Sequence, residues 1–251
     1  MQTDLQSIPL AFKNAPARLL LLDYDGTLRE FETDPLAATP TPEIIDTLQR
    51  LADMPGTTVV LISGRRHDVM QAWFSALPVC MVAEHGFYTR MTDGEWQPAL
   101  QMDERWKPLV HEIFERCTAQ VPLSSVEEKH SALAWHYRAS DMAIAEPVAR
   151  QAVKLLEVMG GTFPITVVPG HQVIEAHIRG IDKGTAARRF LDNAADKPWD
   201  FILAAGDDTT DEDLFKALPE GAFTVKVGEG ESRAMSHVST PTEMRQLLQS
   251  L

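Results

Sequence analysis

Cysteine is almost missing from this chain. Cys80 and Cys117 are the two in 251 residues, neither lies in a CxxC pair, and a disulfide framework is therefore excluded. Buried thiols in a reducing compartment are the reading that remains. The eight histidines form no HExxH or zinc-finger spacing. No stretch reaches the ~18 apolar residues of a membrane span, so no membrane partner is expected. The opening stretch MQTDLQSIPLAFKNAPAR carries an acid early and lacks a continuous apolar segment; no signal peptide is expected, and the cytoplasm is the expected compartment. Basic residues are in deficit, 23 Lys and Arg against 36 Asp and Glu for a net charge of −13. That balance argues against nucleic acid or an anionic membrane surface as a partner, but leaves room for a local positive pocket. There is no internal repeat and no low-complexity tract.

What is present is a 44% hydrophobic chain, long enough for one large domain or two small ones. RLLLLDYD (from Arg18) is a short apolar run closed by a Gly turn, which predicts a buried strand. In TPEIIDTLQRLADMPG, Thr41 suits an N-cap, Pro42 a first turn, and Ile44, Ile45, Leu48 and Leu51 one apolar face. TTVVLISGR reads as a strand, HDVMQAWFSAL as a helix and VCMVAEHG as a third strand. Such alternation predicts a parallel sheet covered by helices on both faces. The middle differs. RMTDGEW reads as a turn between two short strands, residues from Asp103 to Gln120 as a helix, EEKHSALAWHYRA as one alternating strand, AIAEPVARQAVKLLEVMG as a helix, and TVVPGHQVIEAHI as two strands bent at Pro169-Gly170. Alternation then resumes with DKGTAARRFLDNA, DFILAAGDD, DEDLFKAL, AFTVKVG and TEMRQLLQSL. The expectation is a Rossmann-like α/β parallel-sheet core over 1–103 and 179–251 with a smaller α+β insert over 104–178.

The chemistry concentrates at element ends. Residues i and i+2 of a strand point the same way, so Asp23 and Asp25 stand together where the first strand ends, the edge at which open parallel sheets bind ligands. Two carboxylates there repel unless a cation lies between them or one is protonated, and a hard ion such as Mg²⁺ takes oxygen ligands. A second acidic group, Asp207, Asp208 and Asp211, follows the strand FILAAG. Ser63 after TTVVLI offers a hydroxyl, and Lys183 opens a helix whose free N–H groups favour anions. Acids for a metal, with a hydroxyl and an ammonium for an anion, suit phosphoryl transfer. Taken singly, the DG pair could be a turn and GDDTTDED a solvated helix start; the four elements in one chain order set those readings aside.

DYDGTL, ISGR, DKG and GDDTTDED together resemble the four-motif signature of the haloacid dehalogenase-like phosphatases, with the insert where that superfamily carries a cap domain. AEHG (Ala83 to Gly86) and EEKHSALAWHYR narrow the resemblance to the trehalose-6-phosphate phosphatases. The resemblance implies Asp23 as nucleophile, forming an aspartyl-phosphate, and Asp25 as the acid and base on the leaving sugar oxygen and the water. It implies Mg²⁺ held by Asp23, the backbone carbonyl of Asp25 and Asp207, with Asp208 and Asp211 behind the ligands. Ser63 and Lys183 would hold the phosphoryl oxygens, the Ser63, Gly64 and Arg65 segment would contact substrate, and Glu127, Lys129 and Glu175 of the cap would bind sugar hydroxyls. Without the resemblance, Glu127 and Lys129 read as an ion pair along a solvated strand face, and His136, Tyr137 and Arg138 are open between packing and binding. One departure stands out: where the family has Glu-x-Arg-Pro, this chain has Glu175, Ala176, His177 and Ile178, with Arg179 as the candidate substitute.

The function so implied is hydrolysis of trehalose 6-phosphate, the last step of trehalose biosynthesis, with a trehalose-6-phosphate synthase as pathway partner. The nearest alternative is another sugar phosphate, such as mannosyl-3-phosphoglycerate or sucrose phosphate. A phosphoryl-receiving signalling module would carry its paired acids on different strands and have no use for the insert. A catalytically dead binding subunit would not keep all the acids with Ser63 and Lys183.

Overall fold

The computed structural model describes residues 5–100, 104–170, 172–192 and 198–251. In chain order its elements begin α1 (Ser7–Asn14), β1 (Arg18–Asp23), α2 (Pro42–Asp53), β2 (Thr57–Ile62), α3 (His67–Phe74), β3 (Cys80–Ala83), β4 (Tyr88–Arg90) and β5 (Gln97–Pro98). There follow α4 (Trp106–Gln120), β6 (Ser125–Glu128), β7 (Ala132–His136), α5 (Met142–Met159), β8 (Ile165–Gly170) and β9 (Val173–Ile178). The chain closes with α6 (Lys183–Asp192), β10 (Phe201–Gly206), α7 (Asp211–Ala217), β11 (Phe223–Val227), β12 (Ser236–Val238) and α8 (Pro241–Gln249). Two compact units result: Met1–Ala99 with Asp182–Leu251, and Leu100–Ile181.

The first unit is an eight-stranded sheet in the order β12-β11-β10-β1-β2-β3-β4-β5. It is parallel from β12 to β3, and β4 and β5 add an antiparallel edge. β1 is buried on both faces, which is why its sequence is a run of leucine rather than an alternation. Leu20 and Leu22 face one core with Phe12 of α1, Leu48 of α2, Phe74 of α3 and Met244 of α8. Leu19 and Leu21 face another with Ala187 and Phe190 of α6 and Leu214 of α7. All four leucines are fully buried, each stabilising the fold by about 1.5–3 kcal/mol relative to exposure. α2 starts as its sequence predicts: Thr41 Oγ1 accepts the Ile44 N–H and Pro42 fills the first position, a cap that contributes about 1 kcal/mol.

The chain runs from β1 through β2 and β3 to one side, and from β10 through β11 and β12 to the other. Strand order thus reverses beside β1, leaving a crevice outside the carboxyl ends of β1 and β10. The register aligns what lies there. Leu22 is opposite both Ala205 and Leu61, and Asp23 is opposite Ile62, so Asp23, Asp25, Ser63 and Asp207 all emerge at one edge.

The second unit is an antiparallel sheet in the order β6-β7-β9-β8, with α4 and α5 packed on it and on each other. Trp106, Val110, Phe114 and Cys117 form the buried stripe of α4, and Ala145, Ala149, Ala152 and Leu156 that of α5. β9 alternates cleanly: Ile174, Ala176 and Ile178 are buried, while Val173, Glu175 and His177 are half-exposed on the other side.

Several expectations need correction. EEKHSALAWHYRA is not one strand but the β6–β7 hairpin, closed by the Lys129 N–H on the Ala132 carbonyl at 2.8 Å. β3 stops at Ala83; Glu84–Gly86 is a tight turn in which Glu84 (φ 50°) and His85 (φ 55°) both adopt left-handed backbone. α1 and β12 were not expected at all. The expected helix start and core boundary at Asp103, the tail residues Asn193 and Ala194, and His171 in the expected bend lie outside the described residues.

Candidate active site

The turn after β1 brings the first acids to the crevice. Gly26 has φ +76°, and a Cβ there would lie 2.2 Å from Asp207 Oδ2; only glycine allows both the left-handed turn and this close approach. Asp23 is buried, and its Oδ1 accepts a 2.7 Å hydrogen bond from Lys183 Nζ. Lys183, at the first turn of α6, also donates to Asp211 Oδ1 at 2.8 Å. α6 is itself capped by Asp182, whose Oδ1 accepts the Thr185 N–H at 2.6 Å.

Asp211 organises the second acidic loop. Its Oδ2 accepts the N–H groups of Asp207 and Asp208 at 3.0 and 3.1 Å. Asp208 turns the other way, its Oδ1 accepting from the Thr210 N–H and hydroxyl at 2.8 and 2.7 Å. Asp207 keeps a long 3.4 Å contact from the Thr27 hydroxyl, and its backbone carbonyl accepts from Lys226 Nζ. Lys226 is a site residue that sequence reasoning passed over; its signal was the one charged residue of strand β11, where it is buried.

These contacts leave an electrostatic surplus. Carboxylate oxygens of Asp23, Asp207 and Asp211 all lie within 4.8 Å of one another, against two ammonium groups, Lys183 on Asp23 and Asp211 and Lys226 beside Asp207. Burial pushes the Asp23 carboxyl up to about 7, against the pull of Lys183 and with the Asp207 charge adding to the rise. Burial likewise lifts Asp207 to about 7, helped by Asp208 and Asp211. Asp211 rises to about 7 by burial, with Lys183 opposing. Asp208 also feels burial, but Lys183 and the Thr210 bonds outweigh it and hold it down at about 2. For Lys183 burial favours the neutral amine, yet the surrounding carboxylates win and keep it charged.

Asp23 Oδ2 is buried without a hydrogen-bond partner. An orphaned carboxylate oxygen costs free energy, and in a cluster with the Asp207 and Asp211 carboxylates it fits a hard cation. The aspartate triad, with Asp23 and Asp211 buried and Asp207 half-buried, is able to bind a metal. Within it Asp211 accepts three hydrogen bonds, so Asp23 and Asp207 have more lone pairs left for a cation.

Ser63 is buried, and its hydroxyl oxygen accepts the Arg65 N–H at 3.1 Å, leaving its proton to donate. A Cβ on Gly64 would lie 2.3 Å from His85 Nε2, so the imidazole of the AEHG turn occupies the space that a side chain would need. That imidazole also lies close enough to Asp208 to lower its carboxyl. Arg65 turns to Asp25, its Nε donating to Oδ2 at 2.7 Å and its Nη2 to Oδ1 at 2.6 Å.

In the second unit, Glu127 and Lys129, read from their spacing as an ion pair along one strand, each have a partner on another strand. Lys129 Nζ meets Glu175 Oε2 at 3.2 Å, and Glu127 Oε2 meets His136 Nε2 at 2.8 Å. The hydrogen bond from His136 holds the Glu127 carboxyl below its usual range, against burial. Tyr137 is buried with its ring 4.7 Å from that of Trp135, a packing role. Arg179, the candidate substitute for the family's arginine, donates its Nη2 to the Gly160 and Ile165 carbonyls at 2.8 and 3.0 Å. His177 stands beside Glu175 instead, Nδ1 to Oε1 3.3 Å.

The model of the trehalose-phosphatase family matches residues 21–248, nearly the whole chain and every motif above. The chain belongs to the trehalose-phosphatase family. A bifunctional trehalose-6-phosphate synthase/phosphatase of Thermoproteus tenax is 40% identical over 240 residues, 96% of this chain and 32% of that protein. The chain thus spans about a third of the length of the curated relatives it matches. Among solved structures, the C-terminal domain of C. albicans trehalose-6-phosphate phosphatase superposes with a TM-score of 0.90 at 28% identity, covering 98% of this chain and 96% of that one. A haloacid dehalogenase-like hydrolase from Bacteroides thetaiotaomicron, at 16% identity and a TM-score of 0.66 over 93% of this chain and 98% of that one, shares the fold. The family's core is therefore the haloacid dehalogenase-like α/β sheet with an antiparallel α+β insert. Among the described residues no helix is long and apolar enough to cross a membrane.

Proposed function

We propose that the chain hydrolyses trehalose 6-phosphate to trehalose and inorganic phosphate through an aspartyl-phosphate on Asp23. The observation that carries this reading is the buried Asp23, one oxygen held by Lys183 and the other unpartnered, in a chain that the trehalose-phosphatase family model matches over residues 21–248. Asp23 attacks phosphorus, and the bond from phosphorus to the sugar oxygen breaks as that oxygen takes a proton from Asp25. Water then attacks the acyl phosphate, gives its proton to Asp25 and releases phosphate, restoring the Asp23 carboxylate. Lys183 and the Ser63 hydroxyl hold the phosphoryl oxygens during both transfers. Asp23, Asp207 and the Asp25 backbone carbonyl would hold Mg²⁺, whose charge would offset that of the phosphoryl oxygens. Asp211 and Asp208 shape the loop that presents Asp207.

Residues 1–103 and 179–251 form the hydrolase core in this reading, and residues 104–178 the cap. Glu127, Lys129 and Glu175 of the cap bind sugar hydroxyls through charged hydrogen bonds. The reaction is placed in the cytoplasm, which two free, buried thiols support. The bifunctional name of the Thermoproteus tenax relative supports a trehalose-6-phosphate synthase as the partner that supplies the substrate.

Phosphate release over a panel of sugar phosphates, with Mg²⁺ and with a chelator, tests the reading. Trehalose 6-phosphate should be hydrolysed fastest, and only with the metal. Equal or faster release from sucrose phosphate or mannosyl-3-phosphoglycerate would move the substrate while leaving the chemistry.

A further inference from the structure

Arg65 stands in the ISGR motif, one residue from Gly64 and two from Ser63, where a cation would be expected to meet the substrate's phosphate. Its guanidinium is engaged elsewhere. Nε and Nη2 form a two-pronged pair with the two oxygens of Asp25, at 2.7 and 2.6 Å. This parallel geometry is the strong, orienting form of the arginine–carboxylate contact. Neither partner is free to drift. The Arg65 side chain is 12% exposed and that of Asp25 24%.

The pair rests on aromatic rings. The guanidinium carbon lies 4.5 Å from the centroid of the Trp73 ring and 5.9 Å from that of Tyr24, within cation–π range. Tyr24 is fully buried and donates its hydroxyl to the Ala38 carbonyl at 2.7 Å; its ring packs against Trp73 and Phe74. The Arg65 backbone is tied at both ends, its N–H to Ser63 Oγ and its carbonyl to the Glu84 N–H at 2.9 Å. The tip of β1, the loop after β2, the AEHG turn and α3 therefore all contribute to holding one carboxyl group in one orientation.

We propose that Arg65 is the positioning residue for Asp25, its fork taking one lone pair of each oxygen and leaving another for the proton, so that it fixes the plane and aim of the carboxyl that protonates the leaving sugar oxygen and is not a contact to the phosphate. This rests on the phosphatase reading above. A proton transferred in the transition state must come from an acid within hydrogen-bond reach and correctly aimed. A short aspartate on the turn after β1, next to Gly26, has rotamer freedom unless something removes it. The guanidinium fork removes it, whereas a lysine would supply charge without fixing the plane.

Leaving-group dependence separates this role from others. A sugar alkoxide needs a proton as the bond to phosphorus breaks; 4-nitrophenolate does not. The experiment measures kcat/KM, which reports phosphoryl transfer to Asp23 whichever later step limits turnover. The substrates are 4-nitrophenyl phosphate and whichever sugar phosphate the unaltered chain hydrolyses best, and the proteins are the unaltered chain, Arg65→Lys and Arg65→Ala. The unaltered chain's own panel decides the substrate reading first, so a different preferred sugar leaves this test intact. General acid catalysis contributes about 10²–10⁴-fold, so misaiming the acid should lower the ratio of sugar-phosphate to aryl-phosphate kcat/KM by about tenfold or more in both variants. Millimolar guanidinium should restore part of the ratio in Arg65→Ala. Inhibition by inorganic phosphate should be unchanged in Arg65→Lys.

Equal losses on the two substrates, as from a damaged fold, would overturn the proposal. So would an unchanged ratio, or equal losses with weakened phosphate inhibition, the behaviour of a phosphate contact. Arg65→Lys keeps the charge and the stem over Trp73, so the ratio can be read even if Arg65→Ala folds poorly.

Discussion

Divalent metal binding by this chain should compete with protons near neutrality, by an amount the site itself sets. Asp23 and Asp207 each have their carboxyls raised to about 7, chiefly by burial, and each must be ionised to take a cation. A group with that value is about nine-tenths protonated at pH 6 and about one-tenth at pH 8. Displacing one proton then weakens the apparent Kd for Mg²⁺ by about tenfold between pH 8 and pH 6, and displacing two by about a hundredfold. The two carboxyls are close enough to titrate as a pair, so the loss should fall between those limits, about 1.4 to 2.7 kcal/mol. The sign follows from the direction of the shift. Raised carboxyls hold protons below pH 7, and binding must expel them, so affinity falls as the pH falls. Isothermal titration calorimetry with Mg²⁺, in two buffers of different ionisation enthalpy at pH 6, 7 and 8, reads both affinity and protons released. Release should be one to two protons at pH 6 and fall towards zero at pH 8. A Kd constant within about threefold, with no proton release, would refute the electrostatic description of the triad.

Two substitutions probe the same site from either side. Lys183→Met removes the ammonium shared by Asp23 and Asp211; leaving buried carboxylates unpaired should cost about 3–5 kcal/mol in the metal-free chain, read as a lower midpoint in urea, together with loss of turnover. Gly26→Ala places a methyl group 2.2 Å from Asp207 Oδ2 at a φ of +76°; it should destabilise by about 1–3 kcal/mol and weaken Mg²⁺ binding, and calorimetry that gives the parent affinity would contradict the close approach.

How much of this could be read in the residues depended on how far apart the cooperating groups lie. β1, β2 and β10 are legible because an apolar run buried on both faces has few alternatives, and their acids and hydroxyl follow at the carboxyl ends by simple succession. The β6–β7 hairpin was not, since Lys129, His130 and Ser131 carry no glycine or proline to mark a turn, and the alternation reads through them as one strand. β12 has three residues, too few for a period to register. In the site, the types of residue were visible but their pairing was not. Arg65 and Asp25 are 40 positions apart, and what joins them is the platform of Tyr24 and Trp73, which exists only once α3 has packed on the sheet. The role of Asp211 was similarly hidden: its sequence position suggests a helix start, while the structure has it binding two backbone N–H groups and Lys183 at once.

The central claim is that Asp23 accepts the phosphoryl group of trehalose 6-phosphate. Its most direct measurement is phosphate release from that substrate, with Mg²⁺, by the unaltered chain beside Asp23→Asn, with far-ultraviolet circular dichroism confirming that both are folded. Rapid release by the first and none by the second is expected. Appreciable turnover by folded Asp23→Asn, or none by the unaltered chain, would contradict it.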